Sequence, residues 1–328
     1  MARHLLTLDS LGRDGIRDVL DLAARMKKVH GDARGVLDGG LVGLIFDKPS
    51  IRTRVSFTDA AWGLGMLPME MRGEDVGIGT RESVPDSARV LSRYLTALMI
   101  RTFEHSKVEG LAEHATIPII NGLTDDHHPC QALADVMTIE EEFGSLAGLR
   151  VAFVGDGNNV CHSLMQAAGY LGFTLAVATP EGYRPNADIT AGAEANARKY
   201  GGAIEIGSDV REAVRGADAV YTDVWASMGQ EKERGERARI FAGYQVNPRL
   251  MKLAAPRAIF LHCLPAHRGD EVTDEVMDGP QSRVFDEAED RWYTAEALLY
   301  ILITGDDRGE RLSLESGAAG RSGAGARG

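Results

Sequence analysis

Five stretches of the chain carry side chains able to do polar chemistry in concert. The first, Phe46-Asp47-Lys48-Pro49-Ser50-Ile51-Arg52-Thr53-Arg54-Val55-Ser56-Phe57, follows an apolar run at residues 41–46. Pro49 ends that run and Ser50 stands where a helix N-cap belongs. The next turn then offers unpaired backbone N–H groups, the Thr53 hydroxyl and two guanidinium forks, on Arg52 and Arg54. A helix start carries roughly half a positive charge, and arginines beside it make a phosphate site. Arg101 closes an apolar run at 97–100, and Asp125-Asp126-His127-His128-Pro129-Cys130-Gln131 follows another at 117–121. Two later runs end in Asp223-Val224-Trp225-Ala226-Ser227-Met228-Gly229 and His262-Cys263-Leu264-Pro265.

The elements that must position these groups alternate. Runs at 41–46, 67–71, 97–100 and 117–121 read as buried strands separated by helical patterns, the first at 11–28. A punctuated link at 144–148 precedes a second set of strands at 151–154, 174–179, 203–206, 219–223 and 258–262. This pattern predicts an α/β chain of two domains, each a parallel sheet with helices on both faces. In such sheets ligands bind beyond the carboxyl ends of the strands, so residues 50–54, Arg101 and residues 128–131 should converge on one crevice. Residues 72–82, with Gly73, Gly77 and Gly79 among charges, read as a mobile loop. Residues 295–304 read as a last apolar helix, and 305–328, rich in Gly, Ser, Ala and Arg, as a disordered tail. The expected domains are 1–144 and 150–294.

Composition narrows the function. At 328 residues and a formal charge of −12, the chain lacks the basic balance of a non-specific nucleic-acid binder. No apolar run reaches the roughly 18 residues of a membrane span, and the N-terminus reads as neither signal nor transit peptide. Three scattered cysteines, Cys130, Cys161 and Cys263, suggest neither a disulfide frame nor a zinc site, so the expected compartment is the cytoplasm. Gly155-Asp156-Gly157 partly matches a dinucleotide fingerprint, but Val160 stands where its third glycine belongs.

The block at 46–57, the tetrad His128-Pro129-Cys130-Gln131, the run 223–229 and the tetrad 262–265 resemble, in order, the signatures of the ornithine carbamoyltransferase family. The likeness extends from about Leu5 to about Ile303. It implies a carbamoyl phosphate domain, an ornithine domain, a last helix (295–304) returning to the first domain, and a homotrimer. It implies transfer of the carbamoyl group to the side-chain amine of ornithine, with no cofactor and no metal. By the same resemblance Ser50, Ile51, Arg52, Thr53 and Arg101 hold the phosphate, and His128 and Gln131 address the carbamoyl group. Asn159, Asp223, Ser227 and Met228 match the ornithine contacts, and Cys263, Leu264 and Arg291 the catalytic end. Arg101, His128, Asp223, Cys263 and Arg291 are the expected catalytic set. Taken by itself, Asn159 also reads as a helix cap, and Cys130 and Trp225 read as packing.

The bottom-up chemistry is compatible. Carbamoyl phosphate is a mixed anhydride with a good leaving group, so orientation and stabilisation of a developing oxyanion suffice. Two positions depart from the family pattern. Gly77 stands where a loop Gln is common, and Asp290 stands where Asn is usual and is placed to hold Arg291 away from substrate. These departures leave room for another acceptor amine, such as putrescine, lysine or an acylated ornithine.

Overall fold

The computed structural model describes residues 3–29, 35–37, 39–226, 229, 231–310 and 312. In the first lobe, α1 (Gly12–Val29) is followed by β1 (Leu41–Phe46), α2 (Ile51–Gly63), β2 (Leu67–Arg72), α3 (Gly73–Val76) and α4 (Val84–Tyr94). Then come β3 (Ala97–Arg101), α5 (His105–His114), β4 (Ile119–Leu123) and α6 (Pro129–Phe143). The second lobe begins with β5 (Arg150–Val154), α7 (Asn159–Leu171), β6 (Thr174–Ala178), α8 (Ala187–Tyr200), β7 (Ala203–Gly207), α9 (Val210–Val214) and β8 (Ala219–Thr222). It ends with α10 (Arg234–Ile240), α11 (Pro248–Met251), β9 (Ile259–Leu261) and α12 (Asp274–Met277), before the long α13 (Val284–Thr304).

Both sheets are parallel. The first has the order β2-β1-β3-β4 and the second β7-β6-β5-β8-β9. The chain turns back at β1/β3 in one sheet and at β5/β8 in the other, which opens a crevice at the carboxyl ends of those strands. Central strands are buried throughout, as in β3 and β4, whereas the edge strand β2 is largely exposed and tolerates Pro68. α1 buries Ile16, Val19, Leu20, Ala23 and Met26 along one stripe, as their helical spacing requires.

Two boundaries differ from the sequence reading, those of the last helix and of the tail. The last helix begins at Val284, not 295, because polar residues that the apolar count skips, Glu287, Asp290 and Arg291, are buried along it. Residues 72–82 are organised by backbone bonds. Gly77 caps α3 at φ +67°, and its carbonyl accepts from Thr80, Arg81 and Glu82. The start of the tail also packs. Asp306 accepts from the Tyr300 hydroxyl at 2.6 Å, the Arg308 carbonyl accepts from Arg25 at 2.6 Å, and Leu312 is buried. The expected disorder therefore does not begin at 305, and residues 311 and 313–328 lie outside the described residues.

Candidate active site

The two strand-end crevices face each other across a cavity of about 1180 Å³. From the first lobe it is lined by Ser50, Ile51, Arg52, Thr53, Arg101, His128 and Gln131, and from the second by Asn159, Asp223, Cys263, Leu264 and Arg291. Ser50 is the N-cap of α2, its hydroxyl accepting from the Thr53 N–H at 3.2 Å. The Thr53 hydroxyl in turn accepts from Arg291 at 3.2 Å and Arg101 at 3.5 Å. Arg54, expected beside Arg52, points elsewhere: it pairs with Glu70 at 2.9 Å and lies over the Phe46 ring. One helical residue separates an inward from an outward side chain, so only one of the two forks serves the cleft.

Arg52 reaches across the cavity and donates to the Leu264 carbonyl. Leu264 adopts φ +57°, a left-handed conformation that costs a non-glycine residue about 1–2 kcal/mol. It is held there by its own N–H, which donates to His262 Nδ1 at 2.8 Å, while His262 Nε2 faces Glu271 at 3.2 Å. Three arginines, Arg52, Arg101 and Arg291, crowd this end of the cavity. Burial, then the charge of Arg291, pulls Arg101 down to about 10. Burial and the same arginines hold His128 well below the usual histidine range, so its imidazole is neutral at pH 7. Both effects describe a site short of negative charge, suited to an anion.

On the other wall Asp223 accepts from Cys263 Sγ at 3.0 Å and from Asn158 Nδ2 at 2.7 Å. Burial and the facing carboxylate push the Cys263 thiol well above its usual range, so it is a donor and not a thiolate nucleophile. Asn158, not Asn159, caps α7, its side chain accepting from Val160 and Cys161. Asn159 instead ties the lobes together, donating to the Thr124 carbonyl at 2.6 Å. Ser227 and Met228 lie outside the described residues.

Asp290 does not restrain Arg291. Its buried carboxylate accepts from Lys27 and Thr138, both at 2.6 Å, and leaves Arg291 free to bond Gln131 and Thr53. Gly157 likewise has a structural reason. A Cβ there would lie 2.3 Å from the Pro185 nitrogen, so the turn admits a crossing chain rather than a pyrophosphate. Among the described residues, Asp223, His262 and Cys263 bring potential metal ligands within 4.8 Å. His262 and Cys263 are already committed to the hydrogen bonds above, which makes the trio a poor metal trap.

Sequence reading missed three further groups. Lys48 lines the cavity with little exposure, paired with Asp125 and 4.4 Å from the centre of the Phe103 ring. Asp135 and Glu287 lie buried behind Gln131. Their signal was present as spacing: Asp135 is one helical turn after Gln131, and Glu287 one turn before Arg291.

Two family models match the chain. The carbamoyl-P binding domain of aspartate/ornithine carbamoyltransferase covers residues 3–141, and the Asp/Orn binding domain of the same family covers 147–302. The chain is 50% identical over 305 residues to an ornithine carbamoyltransferase of Symbiobacterium thermophilum, covering 92% of this chain and 98% of that one. It is 48% identical, over 92% of this chain and 97% of the other, to the anabolic ornithine carbamoyltransferase of Pyrococcus furiosus. A solved structure of the Pyrococcus furiosus ornithine carbamoyltransferase superposes with a TM-score of 0.90, covering 93% of this chain and 98% of that one.

Proposed function

The chain belongs to the aspartate/ornithine carbamoyltransferase family, and on that premise we propose that it carries the carbamoyl group of carbamoyl phosphate to the side-chain amine of L-ornithine, giving L-citrulline and phosphate. The observation that carries this reading is that one cavity sets the cationic end made by Arg52, Arg101 and Arg291 near the Asp223 carboxylate and its partners Asn158 and Cys263. The α2 N-terminus, Ser50, Ile51 through its backbone, Arg52, Thr53 and Arg101 take the phosphate. Thr53, Arg101 and neutral His128 donate to the carbonyl oxygen as negative charge develops there. The carbamoyl NH2 finds acceptors in Gln131 Oε1 and the Leu264 carbonyl, and Arg291 reinforces the anionic end.

The acceptor amine is the demanding partner. With a pKa near 10.4, freeing its lone pair at about pH 7.4 costs about 4 kcal/mol. Asp223, oriented by Asn158 and Cys263, attracts the amino acid, with Asn159, Ser227 and Met228 as its remaining contacts. The neutral amine attacks the carbonyl carbon, the C–O bond to phosphate breaks, and the proton shed by the amine leaves with the phosphate. No cofactor or metal has a part in these steps.

The proposed domains are 1–144 with the returning end of α13, and 150–294. A homotrimer is supported by exposed apolar side chains on α2, β2 and α4, namely Val55, Leu67, Met69 and Tyr94, which a lone protomer leaves wet. Residence in the cytoplasm and a role in arginine synthesis follow from the same reading; no helix among the described residues is long and apolar enough to cross a membrane.

The deciding experiment is ureido-product formation with ornithine, lysine, putrescine, N-acetylornithine and aspartate offered separately. Preference for ornithine upholds the reading. Preference for another amine retains the phosphate wall and overturns the acceptor assignment, and no product from any of them overturns both.

A further inference from the structure

Beneath the cleft, Gln131 rests on three buried groups that the transfer steps do not use, Asp135, Glu287 and Tyr221. Arg291 donates to Gln131 Oε1. A guanidinium can only donate, so the amide atom facing it must be oxygen. The amide nitrogen is thereby turned away from the cleft, and it donates to Asp135 Oδ1 and Glu287 Oε1, each at 2.8 Å. Both carboxyls are sealed from solvent, at 0% and 1% exposure. The Tyr221 hydroxyl lies 3.3 Å and 3.2 Å from the same two oxygens, and the His262 N–H donates to Glu287 Oε2 at 3.0 Å. Two carboxyls so close in a dry core do not both ionise. Burial raises Asp135 to about 7, and burial with the charge of Asp135 raises Glu287 well above the usual range, so the pair keeps a proton near neutrality. An amide in this setting has one stable orientation. Turned over, it would set oxygen against the carboxyl oxygens and NH2 against a guanidinium.

We propose that Asp135 and Glu287 are positioning residues that lock the Gln131 amide with its oxygen towards the cleft, making the site selective for an acyl phosphate bearing –NH2 over one bearing –CH3. The proposal rests on the carbamoyl-transfer reading above. A carbamoyl N–H meets the second acceptor site of the fixed Gln131 oxygen, whereas the methyl of acetyl phosphate, nearly the same size, leaves that site unfilled and only the Arg291 bond in place. Rejection of an isostere by an unpaired polar group is how a rigid site discriminates beyond what shape allows. Orientation is what the carboxyls add to the Arg291 contact: they hold the amide nitrogen on the side away from the cleft while Arg291 holds the oxygen.

The test compares the dissociation constant of carbamoyl phosphate with the inhibition constant of acetyl phosphate in wild type, Asp135→Ala and Asp135→Asn. Asparagine keeps an acceptor for the Gln131 N–H, and alanine removes it. Asp135→Ala should weaken carbamoyl phosphate about tenfold, the worth of one hydrogen bond, and leave acetyl phosphate within about twofold. Asp135→Asn should stay within about threefold of wild type for both. Equal weakening of both ligands in Asp135→Ala, no change in either, or an asparagine variant as damaged as the alanine one would overturn the proposal. Asp135→Ser, too short to reach Gln131, is read in the same way should the alanine variant not fold. A wild type that binds no carbamoyl phosphate at all refutes the transfer reading itself, which separates that failure from failure of the lock.

Discussion

Asp223→Asn isolates charge from shape at the acceptor wall. The carboxylate is 6% exposed and accepts one bond on each oxygen, from Cys263 at 3.0 Å and Asn158 at 2.7 Å. An ionised carboxylate has about four acceptor sites, which leaves about two for a substrate ammonium. Asparagine keeps the local bonds, with its oxygen towards Asn158 and its NH2 towards the sulfur, and loses the charge. A hydrogen bond to a charged group contributes about 1.5–3 kcal/mol, so the KM for ornithine should rise about 10- to 150-fold. Carbamoyl phosphate, which the proposed assignment places on Ser50, Arg52, Thr53 and Arg101, should bind within about twofold of wild type, because none of those groups changes. Initial rates with ornithine varied at saturating carbamoyl phosphate, together with equilibrium binding of carbamoyl phosphate alone, measure the two quantities separately. An unchanged KM, or a parallel loss of both affinities, would refute the assignment of Asp223 to the acceptor. The same substitution removes the charge that, after burial, most raises the Cys263 thiol, so alkylation of Cys263 should become faster than in wild type.

Arg52→Ala should weaken carbamoyl phosphate by about 1.5–3 kcal/mol in a binding titration, through loss of a charge-assisted phosphate contact; unchanged affinity would remove Arg52 from the phosphate wall. His128 should show no ring titration between about pH 5.5 and 8 by NMR in the ligand-free enzyme, since burial and the arginines favour its neutral form; a midpoint in that window would contradict the anion-poor pocket. Asp290 is raised by burial to about 6 against 3.8 unfolded, so its ionisation opposes folding above that range, and this burden fades as pH falls towards 4. Wild type should therefore gain about 1 kcal/mol on Asp290→Asn between about pH 7 and pH 5 in urea unfolding, and a difference that stays flat with pH would show the carboxyl to be unshifted.

What the chain reveals before folding depends on whether the signal is local. Strands such as 41–46 and 97–101 are buried on both faces and therefore read as unbroken apolar runs. The start of α2 is legible because Pro49 and Ser50 mark it within a few residues. Helix α8 is faint for the opposite reason: it buries only Ala193 and Ala197, so no apolar stripe announces it. The start of α13 was hidden because its buried face is polar, and its Glu287, Asp290 and Arg291 find partners that come from α1, α2 and α6, far away in sequence. Arg54 shows the limit of motif reading, since its residue type matched but its direction on the helix did not.

The long terminal helix also sets a schedule for synthesis. Leu298, Leu299, Tyr300, Ile301 and Leu302 belong to the same buried cluster as Leu8, Ile16, Val19, Phe57 and Val136, all on the first lobe. Those early surfaces emerge from the ribosome long before their cover. Between the end of α6 at Phe143 and the end of α13 at Thr304 lie 304 − 143 = 161 residues. At about 5–20 residues per second, the first lobe waits roughly 8–32 s with an apolar flank bare. A ribosome that stops anywhere before α13 thus releases a first lobe whose α1, α2 and α6 faces lack their cover, while the cluster of Ile45, Leu98, Ile100 and Val108 is complete without it.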